Sequence, residues 1–424
     1  MYTNRLAVVA GAFAMGSLSA TVSASGFIED SAVSLTARNY YLDRDYKKES
    51  PYSAAREWAQ GFIFRANSGY TSGDIGFGLD VTGMLGLQLD SSPDRTGTQL
   101  LPYNPQTREA AHDYSELGLS LKARVSDTRL AVGTLFPTLP VIYASSARLL
   151  VQSFRGAYLT SQELSNLTLH AGYIDRVNQR DSTDYQELSI ANPNRRFIAG
   201  QFSDQYTFAG GEYAFSPNLN FKYFHADLQD IYTQDYVGVI HTLPIGEGKL
   251  KSDFRYFDSR DSGLSKSGKV DNKNYGLMMT YQQGGHALGL GYMYQTGDTA
   301  FAYLSGGEAT TINEGALSAD FVNPEERTFI ARYDYDFVAL GVPGLKGMLR
   351  YMRGTNINLP SLGGSDLTES TKDVEMSYVI QSGPVAGLAL RARHAFYRND
   401  LSSAATFRSA NETRINIDYT WRFK

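Results

Sequence analysis

Cysteine is absent from all 424 residues, so neither a disulfide framework nor thiolate chemistry is open to this chain. Beyond the first two dozen residues, no run approaches the roughly 20 apolar residues that a membrane-spanning helix needs. A helical membrane protein is thereby excluded, and only a closed barrel could cross a bilayer. The formal net charge of −5 lacks the basic excess expected of a nucleic-acid partner. Catalytic signatures are missing too: there is no Gly-x-Ser-x-Gly elbow and no His-Glu-x-x-His pair. The six histidines (His112, His170, His225, His241, His286, His394) are scattered without metal-ligand spacing, so neither a metal nor another cofactor is expected. The stretch 263–270 comes close to a phosphate-binding loop. However, Val270 stands where a Ser or Thr would hold magnesium, and the stretch is read as a polar loop.

What is plentiful is aromatic and small: 29 Tyr, 22 Phe and 40 Gly against 2 Trp, with no compositional break along the chain. One large all-β unit fits this better than several soluble domains. At the start, Arg5, an apolar run over 6–15 and the small pair Ser23-Ala24 have the order of a secretory signal. Residues 1–24 are therefore read as a signal peptide and 25–424 as the barrel domain; a short buried helix is the competing reading of the first segment.

Period-two alternation recurs throughout, and is clearest where Ile415, Ile417, Tyr419, Trp421 and Phe423 interleave with Arg414, Asn416, Asp418, Thr420 and Arg422. Strand after strand of this kind carries too many charged faces for a soluble core, and a barrel with lipid outside and water inside resolves the conflict. Such segments number about eighteen, each ~10 residues long as expected for membrane-crossing strands. They are placed at 33–42, 58–70, 75–89, 114–125, 128–136, 153–160, 166–177, 204–215, 218–226, 231–242, 249–257, 274–282, 286–295, 327–337, 345–354, 373–381, 387–398 and 413–423. Short connections (71–73, 126–127, 216–217, 284–285, 339–343, 382–386) mostly alternate with long ones (43–57, 90–113, 137–152, 179–203, 258–273, 299–326, 355–372, 399–412). That asymmetry predicts a transmembrane antiparallel β-barrel with tight periplasmic turns, long extracellular loops and periplasmic termini.

Parity then sorts the arginines. Over 387–398, Leu388, Leu390 and Phe396 share one face, while Arg391, Arg393 and Tyr397 share the other. If the first face meets lipid, these arginines point into the lumen; the same parity places Arg414 there on the last strand and Arg38 on the first, its neighbour in a closed barrel. A column of permanently charged planar forks matches carboxylates and could pass an anion from site to site. The competing reading is that these arginines pair with luminal Asp334, Asp336, Glu375 and Asp418. The third long loop, 137–152, is unusually apolar, which predicts that it folds inward and sets Tyr143 and Arg148 near a constriction; burial by a partner subunit is the alternative.

Several stretches together resemble the OprD-type family of substrate-specific outer-membrane porins of pseudomonads and their relatives: Gly26-Phe-Ile-Glu-Asp-Ser31, Arg38-Asn-Tyr-Tyr41 with Asp45, Trp58-Ala-Gln-Gly-Phe62, Gly76-Phe-Gly-Leu-Asp80, Arg148-Leu-Leu-Val-Gln152, Leu228-Gln-Asp-Ile-Tyr232, Gly341-Val-Pro-Gly344, Val379-Ile-Gln-Ser-Gly-Pro384 and Asp418-Tyr419. The resemblance spans nearly the whole mature chain. It implies an eighteen-stranded channel of the bacterial outer membrane with a basic ladder facing an acidic patch at an eyelet. Carried over by motif, ladder arginines fall on Arg44, Arg56, Arg391, Arg393 and Arg414, the third-loop arginine on Arg148, and the acidic eyelet residue on Asp320. It also implies small carboxylate solutes as cargo, basic amino acids or aromatic and other organic acids, moving by passive diffusion. The partners expected are outer-membrane lipid, the barrel-assembly machinery during biogenesis and no nucleic acid, with the chain a monomer or weak trimer. The alternatives are a saccharide or general porin, or a barrel enzyme such as an outer-membrane lipase.

Overall fold

The computed structural model describes residues 25–47, 52–313 and 315–424; the signal-peptide reading of 1–24 lies outside the described residues. Eighteen long strands close into one antiparallel barrel. In chain order they are β1 (Ala32–Tyr46), β2 (Ala54–Asn67), β3 (Ile75–Asp90), β4 (Asp113–Val125), β5 (Thr128–Leu135), β6 (Ser153–Leu164), β7 (Leu167–Asn178), β8 (Tyr206–Ser216) and β9 (Leu219–Leu228). The second half follows with β10 (Tyr232–Ile245), β11 (Gly248–Asp261), β12 (Asp271–Gln283), β13 (His286–Thr296), β14 (Arg327–Asp336), β15 (Leu345–Leu359), β16 (Gly364–Val379), β17 (Ala389–Asn399) and β18 (Ala410–Arg422). Each strand pairs with the next, and β1 pairs with β18 from Ser34↔Arg422 to Tyr46↔Ala410, so no sheet edge is left open.

Alternation explains the two surfaces. On β4, Leu117, Leu119 and Leu121 stand exposed on the outside, and on β13 Leu288, Leu290 and Tyr292 do the same, forming a belt that would drive a water-soluble protein to aggregate but suits lipid. At the short-turn end the belt is rimmed by edge-to-face pairs, Tyr213–Phe215 at 4.7 Å, Tyr335–Phe337 at 4.9 Å and Tyr419–Trp421 at 4.8 Å between ring centroids. Rings at that level fit the polar–apolar boundary of a bilayer.

The long connections gather at the other end; among the described residues, loops 2 (91–112), 3 (136–152), 4 (179–205), 7 (297–313 and 315–326) and 9 (400–409) surround the site described below. Loop 3 folds inward as its apolar sequence predicts: Leu139, Val141, Ile142, Leu149 and Leu150 are buried. Gly61 on β2 makes room for it, since a Cβ there would stand 3.1 Å from Leu149 Cγ. Loops 4 and 7 also turn inward, burying Leu188, Ile190, Phe301 and Leu304, which their polar composition did not foretell.

Two loop assignments need correction. The connection expected over 355–372 is short, because β15 runs to Leu359 and β16 starts at Gly364; the Ser/Thr-rich start of β16 lacks the apolar alternation that marks a strand. The connection expected over 43–57 narrows to 47–53, so Arg44 and Arg56 both lie on strands.

Candidate functional site

Inside the long-loop end, loops 2, 3, 4, 7 and 9 enclose a cavity of about 1040 Å³. Six arginines line it (Arg44, Arg108, Arg148, Arg180, Arg408, Arg414), against three carboxylates (Asp181, Glu308, Asp320). The floor is set by β1 and β18. Their register places Leu42 opposite Arg414, Arg44 opposite Glu412 and Arg38 opposite Asp418, all on the luminal face. Arg38 and Arg44 are six residues apart on one strand, so this wall carries guanidiniums over about 20 Å of depth.

Partners divide these arginines into two kinds. Arg38 pairs with Asp418 at 3.2 Å, and Arg391 makes a two-pronged contact with Glu375 at 2.8 and 2.7 Å. Arg44 and Arg414 share one carboxylate, Glu412, at 2.7 and 2.5 Å, so two positive charges meet one negative. Arg393 stands opposite Arg414 in register, a like-charge pair. It donates to the Tyr40 hydroxyl (3.1 Å) and Asn416 Oδ1 (2.8 Å), and its Nε is buried without an acceptor. Among the described residues no carboxylate bonds to Arg393.

Arg148 is held as firmly and is just as uncompensated. Its carbonyl accepts from Arg38 Nη1 at 3.1 Å, the adjoining Ala147 carbonyl accepts from the Tyr40 hydroxyl at 3.1 Å, and its own Nε donates to the Thr98 carbonyl at 2.9 Å. Its partners are therefore main-chain oxygens. Burial, then the neighbouring guanidiniums of Arg414 and Arg180, push its pKa well below the ordinary arginine value. An arginine remains charged in proteins, so the physical content of that shift is a buried positive site that an anion would relieve.

Facing this wall, loop 7 is tied down from both sides. Arg414 Nη2 donates to the Leu317 carbonyl, and Arg350 Nη2 donates to the Gly315 carbonyl at 2.7 Å. Asp320 accepts two hydrogen bonds of 2.6 Å from Arg196 of loop 4 and one of 2.9 Å from the Tyr303 hydroxyl. It lines the cavity, but its charge is committed to Arg196. Glu308 accepts from Ser145 Oγ at 2.5 Å, and Arg180 donates to the same Ser145 oxygen at 2.8 Å.

Of the residues singled out from sequence, the cavity brings together Arg44, Arg148, Asp320 and Arg414, with Arg393, Arg38 and Arg391 continuing below them. Arg56 is not among them. It lies on the outward parity of β2, shared with Trp58, Phe62 and Phe64, and pairs with Asp43 at 3.0 and 3.1 Å. Tyr143 stays in a two-residue antiparallel pairing with Thr138 inside loop 3, off the cavity lining. Strand parity could not reveal Arg108, Arg180, Glu308 or Arg408, because loops carry all four.

Comparison with known proteins decides what this architecture is. A model of the OprD family of outer membrane porins matches residues 25–423. The chain belongs to the OprD family. This porin is 36% identical to the porin-like protein GalP of Pseudomonas putida over 398 residues, 93% of each chain. It is similar in structure to Acinetobacter baumannii OccAB2, with TM-score 0.90 and 45% identity over 94% of this chain and 100% of that one. It is also similar to Pseudomonas aeruginosa OpdK crystallised with vanillate, with TM-score 0.87 and 35% identity over 94% and 100%. The porin thus resides in the outer membrane, its belt in lipid and its lumen open to small solutes, and its relatives are channels.

Proposed function

We propose that this porin passes small carboxylate-bearing solutes by passive diffusion, the anion being handed along the guanidiniums of loop 3, β18, β17 and β1. The observation that carries this reading is Arg148: a buried, firmly positioned guanidinium at the cavity floor whose partners are all main-chain carbonyls. Glu412 shared by two arginines, and Arg393 without a carboxylate, add to the same unbalanced positive charge. Pairing with luminal acids accounts fully for Arg38 and Arg391, whereas Arg44 and Arg414 divide one carboxylate between them and Arg148 and Arg393 have none among the described residues.

Organic acids fit better than basic amino acids, because six guanidiniums line the cavity against three carboxylates, and one of these, Asp320, is already held by Arg196. The relative crystallised with vanillate is in keeping with this choice. A saccharide track would need a file of open luminal rings for sugars to stack on, whereas Phe224, Phe257 and Phe301 lie covered beneath the inward loops, and Tyr46, Tyr52 and Tyr103 at the cavity mouth have guanidiniums over them. Export by a signal in 1–24 and insertion by the barrel-assembly machinery belong to the same proposal.

The test is single-channel current of the purified porin in a planar bilayer, with benzoate, arginine and a neutral sugar added in turn. Benzoate alone should interrupt and carry current. Steps indifferent to all three solutes would make it a general porin.

A further inference from the structure

At the outer mouth of the cavity two arginines sit over tyrosine rings. The Arg408 guanidinium of loop 9 sits 3.7 Å from the centroid of Tyr46, the last residue of β1. The Arg108 guanidinium of loop 2 sits 3.8 Å from the Tyr52 ring and 5.4 Å from the Tyr103 ring. Such distances are those of close cation–π stacking, which fixes a guanidinium plane without neutralising it. Neither arginine has a carboxylate partner among the described residues.

Arg108 is positioned with unusual care for a loop residue. Its Nε donates to the Pro93 carbonyl at 2.9 Å and Nη2 to the Thr96 carbonyl at 3.1 Å. Its backbone is in the left-handed region, φ 60°, held there by a turn in which its N–H donates to the Asn104 carbonyl at 2.7 Å. A strained, over-determined backbone at a cavity mouth is a feature of ligand-holding segments. Loop 9 is fastened to the same rim, since the Lys47 N–H donates to the Ser409 carbonyl at 2.7 Å. The lining of the same cavity includes the apolar side chains of Ala54, Ala404 and Phe407.

We propose that this mouth is an outer capture site for planar aromatic monocarboxylates, distinct from the constriction, in which Arg108 and Arg408 take the carboxylate and their stacked tyrosines with Phe407 take the ring. The proposal rests on the carboxylate reading above and adds a position and a ring requirement to it. The guanidinium fork matches the carboxylate, and Tyr46, Tyr52, Tyr103 and Phe407, all lining the cavity, supply aromatic surface for a flat ring. Aliphatic acids satisfy only the charge.

The experiment measures how single-channel current saturates with sodium benzoate and with sodium acetate in the wild-type porin, in Arg108→Lys/Arg408→Lys and in Arg108→Gln/Arg408→Gln. Folding of each variant is checked by heat-dependent gel mobility. The lysine pair keeps charge but loses both the fork and the planar stack, so it should raise the half-saturating benzoate concentration by about fivefold and that of acetate by less than about twofold. The glutamine pair should weaken benzoate further and acetate modestly. A lysine pair that behaves as wild type, or benzoate and acetate weakening in parallel, would reduce the mouth to an electrostatic funnel and overturn the proposal. Failure of the underlying carboxylate reading would look different: wild-type porin would carry neither acid in preference to a neutral solute.

Discussion

The wall formed by β17, β18 and β1 and the wall formed by β6 to β11 are built from strands with the same alternation, yet their inner faces do opposite things. The first carries guanidiniums, of which Arg44 and Arg414 line the cavity. The second contributes a ring from each of six consecutive strands, Tyr158, His170, Phe208, Phe224, Tyr236 and Phe257, with neighbouring centroids mostly 4.7 to 6.4 Å apart, and Phe301 of loop 7 closes the series at 4.9 Å from Phe257. Loops 3, 4 and 7 pack on those rings, so this side of the bore is filled as a hydrophobic core would be. Filling one wall displaces the open path toward the other. A luminal face of a large barrel therefore need not be uniformly polar: the apolar side supports the loops, and the charged side is the one proposed to meet the solute.

The largest effect should come from breaking the filled wall. Phe257 and Phe301 are fully buried and meet edge to face, so Phe257→Ala with Phe301→Ala should cost about 3–5 kcal/mol per site. Loop 7 would lose its seat, and bilayer recordings should show larger, noisier steps with poorer discrimination between benzoate and a neutral sugar. Steps of wild-type size and quietness would mean that the rings are not what seats the loop.

A second effect concerns pH, at the foot of loop 7. Glu326 is buried and accepts from the Asn323 N–H (2.9 Å) and Nδ2 (3.0 Å), while Asn323 Nδ2 also donates to Glu369 at 2.8 Å. Glu369 further accepts from the Tyr397 hydroxyl, and Arg196 and Asp320 face the same cluster through Asn323 and Tyr303. Burial holds the Glu326 carboxyl above its ordinary value of 4.5. The folded chain thus keeps a proton that the unfolded chain releases near 4.5; this share of stability is full below that pH and is lost as pH rises through the raised folded value. Resistance to heat unfolding should fall from mildly acidic to mildly alkaline buffer, and Glu326→Gln should flatten the dependence. An equally steep profile in the variant would assign it to another group.

The smallest effect is expected at Arg391. Its guanidinium is half exposed and fully engaged by Glu375, so Arg391→Gln should change benzoate current by less than about twofold. Neutralising Arg393, which has no carboxylate partner, should lower it by about tenfold. The reverse order of effects would mean that pairing does not decide which arginines meet the solute.

How much of this was legible beforehand follows from where the residues sit. All eighteen strands announce themselves, because lipid on one face and water on the other impose strict alternation, as on β18. The pattern fades where strands rise beyond the membrane: β16 begins at Gly364 in a polar stretch, and the alternation gives no strand signal at Arg44 and Arg56 although both are on strands. Had the strand reached Ala54 in the sequence reading, parity would have shown Arg56 facing outward with Trp58. Loop 3 was legible because an apolar segment of that length has nowhere else to go. Loops 4 and 7 were not, since they are seated by long-range polar contacts such as Arg196 with Asp320 and Arg414 with Leu317, and no local spacing encodes these.

The most direct test of the charged wall is the reversal potential of the open channel across a sodium benzoate gradient, compared between the wild-type porin and Arg148→Gln/Arg393→Gln. The wild type should show a potential set by benzoate, collapsing toward zero selectivity in a double variant that still folds by heat-dependent gel mobility. A wild-type potential set by sodium, or one that survives loss of both guanidiniums, would contradict passage of carboxylates along the arginine wall.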